Sequence, residues 1–343
     1  MIRNVRYRVA AAGLGICMAA ATVVGSSSGA AVASPSSAGH GESCRDRGAP
    51  PTQVEVPVGG VTRTALVHVP ASVRASRRAP LVLSFHGAGS TAEFQASYDG
   101  VDAQADAAGF IAVHPQGLTI NLLGATVLGW DIFSANSSEP AFVRALLDRL
   151  DATLCVDDSR VYAIGISNGG GMVELLACTL SDRIAAVATV AALPALPCPG
   201  SRPVPTIAFH GRQDLLIPYD GIAGLAIPGA EADLAGIAAR NDCSTTQPAP
   251  RSITAQVARL RWRDCEAATV LYRLDGQGHS WPGHSFGLTE AQWVQLLTLS
   301  GPLPGLTIAQ QAGTLALTNN EIDATALSWS FFRNKHLAER GDT

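Results

Sequence analysis

Val161-Tyr-Ala-Ile-Gly-Ile-Ser-Asn-Gly-Gly-Gly-Met172 is the stretch on which the reading of this chain turns. Val161 to Ile166 is apolar and partly β-branched, and the polar run Asp157-Asp158-Ser159-Arg160 leads into it, which predicts a buried strand. Met172 to Leu180 predicts a helix. Between them Gly165-Ile166-Ser167-Asn168-Gly169 is a G-x-S-x-G on a strand-to-helix turn. Such a turn is tight enough to need small residues two positions either side of the serine, and it pushes Ser167 Oγ out at the carboxyl edge of a sheet. The Asn168 N–H then points the same way from a helix N-terminus, where it can stabilise an oxyanion. The pentapeptide alone is weak evidence, because it occurs three times: Gly25 to Gly29, Gly165 to Gly169, and Gly283 to Gly287 around Ser285. Only the middle copy has strand, turn and helix in order.

Outward from this elbow, strands alternate with helices. Val54 to Val58 and Thr62 to Val69 read as antiparallel strands joined at Gly59-Gly60, and Pro80 to Phe85 as a core strand ending in the glycine loop His86-Gly-Ala-Gly-Ser90. A helix over Tyr98 to Ala108, a strand over Phe110 to His114 and a helix over Glu139 to Leu154 follow. Beyond the elbow come strands at Ile184 to Ala192, Pro205 to Phe209 and Thr269 to Leu274, with helices at Glu231 to Ala239 and Ile322 to Phe332. The pattern predicts a doubly wound, mostly parallel α/β sheet with ligands at its carboxyl edge. A serine hydroxyl needs a base, and the base an orienting acid. In a sheet of this kind both follow the serine on loops after later strands, which selects Asp214 after Phe209 and His279 after Leu274. Asp220 lies farther from its strand end, His210 sits at a strand terminus where a structural hydrogen bond is expected, and His284 comes late in its loop.

With 47% hydrophobic residues the chain can bury a sizeable core, and its formal net charge of −4 with no basic stripe argues against a nucleic-acid partner. Residues 1–33 read as a secretory signal: Arg3, Arg6 and Arg8, an apolar run from Val9 to Val24, and Ala31-Val32-Ala33 before the cleavage point. Gly and Ser interrupt the apolar run too early for a membrane span. A lipoprotein anchored through Cys17 is disfavoured by the bulky Ile16. Residues 34–52 form a Ser-, Gly- and Pro-rich lead-in, and 53–343 one catalytic domain. Export leaves Cys44, Cys155, Cys178, Cys198, Cys243 and Cys265, an even set that suggests disulfides while leaving their connectivity open. No C-x-x-C spacing points to a metal.

The motifs His86-Gly-Ala-Gly89, Gly165-Ile-Ser-Asn-Gly-Gly170, His210-Gly-Arg-Gln-Asp214 followed by Ile217-Pro-Tyr-Asp-Gly221, and Gly278-His-Ser-Trp-Pro-Gly283 together resemble the secreted polyhydroxybutyrate depolymerase and feruloyl esterase-type serine esterases. The resemblance runs from about Cys44 to Phe332. It implies an α/β-hydrolase fold, a Ser167–Asp214–His279 triad, oxyanion donors at Asn168 and Ala88, and no cofactor. It also implies pairing of Cys178 with Cys198, Cys243 with Cys265 and Cys44 with Cys155, the two shorter bridges contributing about 3 kcal/mol each. Many relatives have a cysteine where Ala88 stands and a threonine where Arg212 stands, which loosens inference about substrate. The segment 286–320 is longer than the resemblance leads one to expect and reads as a flap or a surface excursion. The expected function is a secreted serine carboxylic-ester hydrolase acting through an acyl-enzyme. Trp281, beside His279, would either stack on an aromatic acyl group or sugar, or pack in the interior. No Thr- or Pro-rich linker to a binding module is seen, so soluble esters and oligomers are expected over crystalline polymer. The alternatives are an acyltransferase of the mycolyltransferase type, distinguished by its acyl acceptor, and a non-catalytic surface binding protein on the same scaffold. The pattern leaves the oligomeric state open.

Overall fold

The computed structural model of the chain describes residues 49–73, 77–122, 124–194, 201–244, 247–300 and 306–337. The signal segment, most of the lead-in, Cys44 and Cys198 lie outside them. Strands β1 (Gln53–Val58) and β2 (Val61–His68) pair antiparallel, with Gly59 and Gly60 at φ of 57° and 82°, the left-handed values of a two-residue hairpin. Strand β3 (Ala79–Phe85) is buried at every position, as a central strand covered on both faces must be. Helices α1 (Ala92–Tyr98) and α2 (Val101–Ala108) follow, then β4 (Ile111–Pro115). The single helix expected over 98–108 is therefore split: Gly100 takes φ 68°, and Asp99 Oδ1 accepts the Val101 N–H where the second helix begins.

Next come β5 (Leu118–Leu122), β6 (Ala125–Gly129), α3 (Glu139–Thr153), β7 (Val156–Ile166), α4 (Asn168–Thr179), β8 (Ala186–Val190) and β9 (Thr206–Gly211). The chain continues through α5 (Ala230–Arg240), β10 (Arg251–Ser252), β11 (Val257–Arg261), β12 (Thr269–Leu274), α6 (Glu290–Ser300), α7 (Ile308–Ala316) and α8 (Ala324–Phe332). The described strands form one sheet in the order β1-β2-β4-β3-β7-β8-β9-β12-β11-β10, with β5 and β6 as a separate antiparallel hairpin. From β4 to β12 every neighbour is parallel, and the outer strands on both edges are antiparallel.

Side chains on β7 alternate between two cores, as the two-residue period of a strand requires. Val161 and Ala163 pack with Phe142 and Leu146 of α3 and Met172 and Leu176 of α4. Tyr162 and Ile164 pack on the other face with Val101 of α2 and Phe332 of α8. Each such buried Leu, Ile or Phe contributes about 1.5–3 kcal/mol. Helices on both faces leave the carboxyl edge, where the loops after β3, β7, β9 and β12 meet, as the open side of the sheet. The segment expected to be a flap or surface excursion contains α6 and α7, and α7 ends against the loop that follows β12.

A disulfide joins Cys243 to Cys265, tying the end of α5 to the turn before β12. Cys155 and Cys178 are each disulfide-bonded as well. Their expected partners, Cys44 and Cys198, are outside the described residues. Among the described residues no helix is long and apolar enough to cross a membrane.

Candidate active site

β7 delivers Ser167 at φ 58° and ψ −123°, a region that L-residues rarely occupy and that costs about 1–3 kcal/mol. Two glycines make the crossing of strand and helix possible. A Cβ on Gly165 would stand 2.4 Å from the Gly169 carbonyl oxygen, and one on Gly169 would stand 2.3 Å from that of Phe85. The backbone of Ser167 is fully engaged: its N–H donates to Val190 C=O at 2.9 Å, and its C=O accepts from Gly171 and Leu193 at 3.1 and 3.0 Å. Its hydroxyl takes no part in capping α4. The rival pentapeptide leaves Ser285 exposed in a loop with no strand leading in, and Gly25 to Gly29 lies outside the described residues.

The loop after β3 crosses directly over the serine, since a Cβ on Gly87 would lie 3.4 Å from Ser167 Cβ. His86 anchors this loop: its Nδ1 donates to Gly87 C=O at 2.8 Å and its Nε2 accepts the Gly117 N–H at 3.0 Å. Burial holds the His86 pKa below the usual imidazole value, which keeps the ring neutral and able to make both bonds. Gly89 donates to Leu128 C=O and Ser90 to Gly87 C=O, while the N–H of Ala88, just before Gly89, has no partner among the described residues. The Asn168 N–H stands ahead of the first intrahelical bond of α4.

Trp130, which the sequence reading did not single out, fixes both of these elements. Its N–H donates to Asn168 Oδ1 at 2.8 Å, its C=O accepts from Asn168 Nδ2 at 3.0 Å, and its indole Nε1 donates to His86 C=O at 2.8 Å. The ring is fully buried, edge-on to Phe85 at 5.1 Å. It is placed there by the β5–β6 hairpin, whose signal was available in the alternation of Leu118-Thr-Ile-Asn-Leu122 before Gly124.

Asp214 and His279 follow the parallel neighbours β9 and β12, whose ends are in register at Gly211 and Leu274. His279 Nδ1 donates to Asp214 Oδ2 at 2.7 Å, while Asp214 Oδ1 accepts the Leu216 and Ile217 N–H groups, each at 2.9 Å. With Nδ1–H committed to the carboxylate, Nε2 is left as the ring's acceptor. The structure thus brings Asp214 and His279 into contact. Ser167 stands at the end of β7, on the same carboxyl edge, and no hydrogen bond joins its hydroxyl to His279 among the described residues.

His210 is buried with Nε2 donating to Ile217 C=O at 2.8 Å, and burial lowers its pKa. Asp220 is exposed in a turn. His284 pairs with Asp323 at 3.2 Å, and that hydrogen bond raises its pKa. Trp281 requires a correction. It is 0% exposed, its indole donates to Thr325 Oγ1 at 2.9 Å and its backbone N–H to the Tyr98 hydroxyl. A side chain enclosed in this way packs beneath the histidine loop and has no face for a substrate.

A family model described as Esterase PHB depolymerase matches residues 64–193. NocK of Nocardia uniformis subsp. tsuyamanensis, which carries the name of an esterase, is 30% identical over 261 residues, covering 68% of this chain and 75% of NocK. Feruloyl esterase C of Emericella nidulans is 32% identical over 128 residues, 37% of this chain and 43% of that one, so the match spans less than half of that relative. Among solved structures, the acetyl xylan esterase from Aspergillus awamori superposes with a TM-score of 0.51 over 67% of this chain and 94% of its own, at 14% identity, which is a likeness of fold.

Proposed function

The chain belongs to the Esterase PHB depolymerase family, and from that premise we propose that it is a secreted serine esterase acting through an acyl-enzyme on soluble esters or ester oligomers. It is a serine hydrolase of carboxylic ester bonds. Ser167 Oγ attacks the ester carbonyl, His279 Nε2 takes its proton and passes it to the leaving alcohol, and Asp214 holds the imidazole. The tetrahedral oxyanion forms between the Ala88 and Asn168 N–H groups. Water, activated by the same histidine, then releases the acid. No hydrogen bond yet links Ser167 to His279, and such contacts commonly tighten only when substrate is bound.

The observation that carries this reading is the strained elbow, which holds Ser167 beneath a loop with an unpartnered N–H at Ala88. Strain of this kind persists only where the surroundings over-determine it. Secretion is supported by the leader pattern in residues 1–33 and by the Cys243–Cys265 disulfide, which suits an oxidising compartment. The relative named a feruloyl esterase makes hydroxycinnamoyl esters of sugars the first substrates to try. Acid release would be followed from a feruloylated oligosaccharide, an acetylated sugar and a hydroxybutyrate oligomer, with wild type and Ser167→Ala. Turnover of at least one soluble ester by wild type, lost in the variant, is expected. An active Ser167→Ala protein would remove Ser167 from the mechanism.

A further inference from the structure

We infer that Thr314, in the last turn of α7, is a positioning residue that holds the Asp214 and His279 loops in mutual register, an inference that rests on the proposed roles of that pair. Thr314 is 2% exposed and touches both loops at once. Its hydroxyl donates to Gln213 C=O at 3.1 Å and accepts the Leu215 N–H at 3.1 Å, the two residues that flank Asp214. Its backbone C=O accepts the His279 N–H at 2.8 Å, and that N–H also lies 3.2 Å from the hydroxyl oxygen. A hydroxyl has one proton and two lone pairs. All are committed here to the two loops.

The local structure explains why this residue can serve both. The last carbonyls of a helix have no partner within it, so the Thr314 C=O is free for the histidine loop. Gly278 lets α7 approach: a Cβ there would stand 2.0 Å from the Thr314 carbonyl oxygen. The chain that leaves α7 then runs along the same loop. Leu317 C=O accepts from Gly278 N–H at 3.0 Å and from Ser280 Oγ at 2.8 Å, and the Asn319 N–H donates to Gln277 Oε1 at 2.6 Å. The start of α7 is fixed by a capping box between Thr307 and Gln310. The acid and the base sit on separate loops, and α7 is the shared support that sets their spacing.

The full chain would be compared as wild type, Thr314→Val, which removes the hydroxyl at nearly constant shape, and Thr314→Ser, which keeps it. Displacing a catalytic group by a fraction of an ångström acts on the reacting step, so kcat of Thr314→Val should fall about 10–100-fold while KM stays within about twofold. The low-field proton NMR resonance of the His279–Asp214 hydrogen bond should broaden or vanish in that variant, and Thr314→Ser should recover both the resonance and most of kcat. A wild-type resonance and kcat in Thr314→Val would overturn the inference, as would a Thr314→Ser variant that fails equally. Should Thr314→Val not fold, Ser280→Ala, which releases the strap at Leu317, decides: a lower kcat in a folded protein supports the inference and an unchanged one overturns it. The resonance needs no turnover. An active Ser167→Ala would therefore sink the proposed function while leaving this inference to be judged on the resonance alone.

Discussion

Ser167 is held in its φ 58° conformation by neighbours that leave no alternative, and those neighbours can be tested singly. Gly169→Ala places a Cβ against the carbonyl oxygens of Phe85 and His86, at 2.3 and 2.4 Å, so the elbow and the loop over it must separate. Overpacking of this kind costs about 1–3 kcal/mol, and esterase activity should fall far more than the melting temperature does. Trp130→Phe keeps the ring against Phe85 but removes the indole bond to His86 C=O. The loop over Ser167, proposed to supply an oxyanion donor, would loosen, and because loss of a whole such donor costs about 10²–10³ in kcat, a drop on the order of tenfold with KM little changed is expected. Steady-state kinetics on one soluble ester checks both; a Trp130→Phe enzyme with wild-type kcat would mean that the hairpin does not set the loop. The placement of Ser167, Asp214 and His279 at strand ends on one sheet edge was legible in the sequence, because each follows closely on an apolar strand run. The hairpin leading to Trp130 had a local signal, but the contacts of Trp130 and of Thr314 span long separations in sequence that no local pattern encodes.

Among the elements, the helix that follows the elbow is tied to α5 by a pair of acids, Glu174 buried and Asp233 half-buried. Asp233 of α5 shares a hydrogen bond with Glu174 of α4 beside Arg240, and burial pushes its carboxyl up from 3.8 to about 6. The folded protein therefore retains a proton there that the unfolded chain releases at its ordinary value. The resulting stability is full below about pH 4 and is lost as pH rises through about 6. Asp233→Asn removes the ionisation, so it should match wild type near pH 4 and exceed it by up to about 3 kcal/mol at pH 8. Denaturant melts at the two pH values test this, and an equal difference at both would exclude Asp233 as the titrating group. The elements with a strong period were legible: β3 and the second half of β7 from Val161 as mostly apolar runs, α3 by Phe142, Val143, Leu146, Leu147 and Leu150 on one face, while the polar Asp157 to Arg160, expected as a turn, forms the half-exposed start of β7. The break at Gly100 was missed because the apolar spacing continues across it. The edge strands β10 and β11 were missed because they are short and half exposed, with little apolar pattern.

For the whole molecule, the doubly wound sheet followed from the alternation of strands and helices. What the sequence did not contain was the packing of α6 and α7, since neither a flap nor an excursion can be told from a support without its contacts. The Cys243–Cys265 bridge closes a loop of 22 residues late in the sheet, and removing it by a double Cys→Ser substitution should cost about 3 kcal/mol, read as a lower melting temperature under non-reducing conditions. The central claim is that one serine, on one elbow, carries the acyl group. Intact-protein mass spectrometry after reaction with a fluorophosphonate, followed by peptide mapping, tests it most directly. A single adduct on Ser167 is expected, absent in Ser167→Ala and retained in Ser285→Ala; an adduct on Ser285, or one that persists in Ser167→Ala, would rule Ser167 out as the nucleophile.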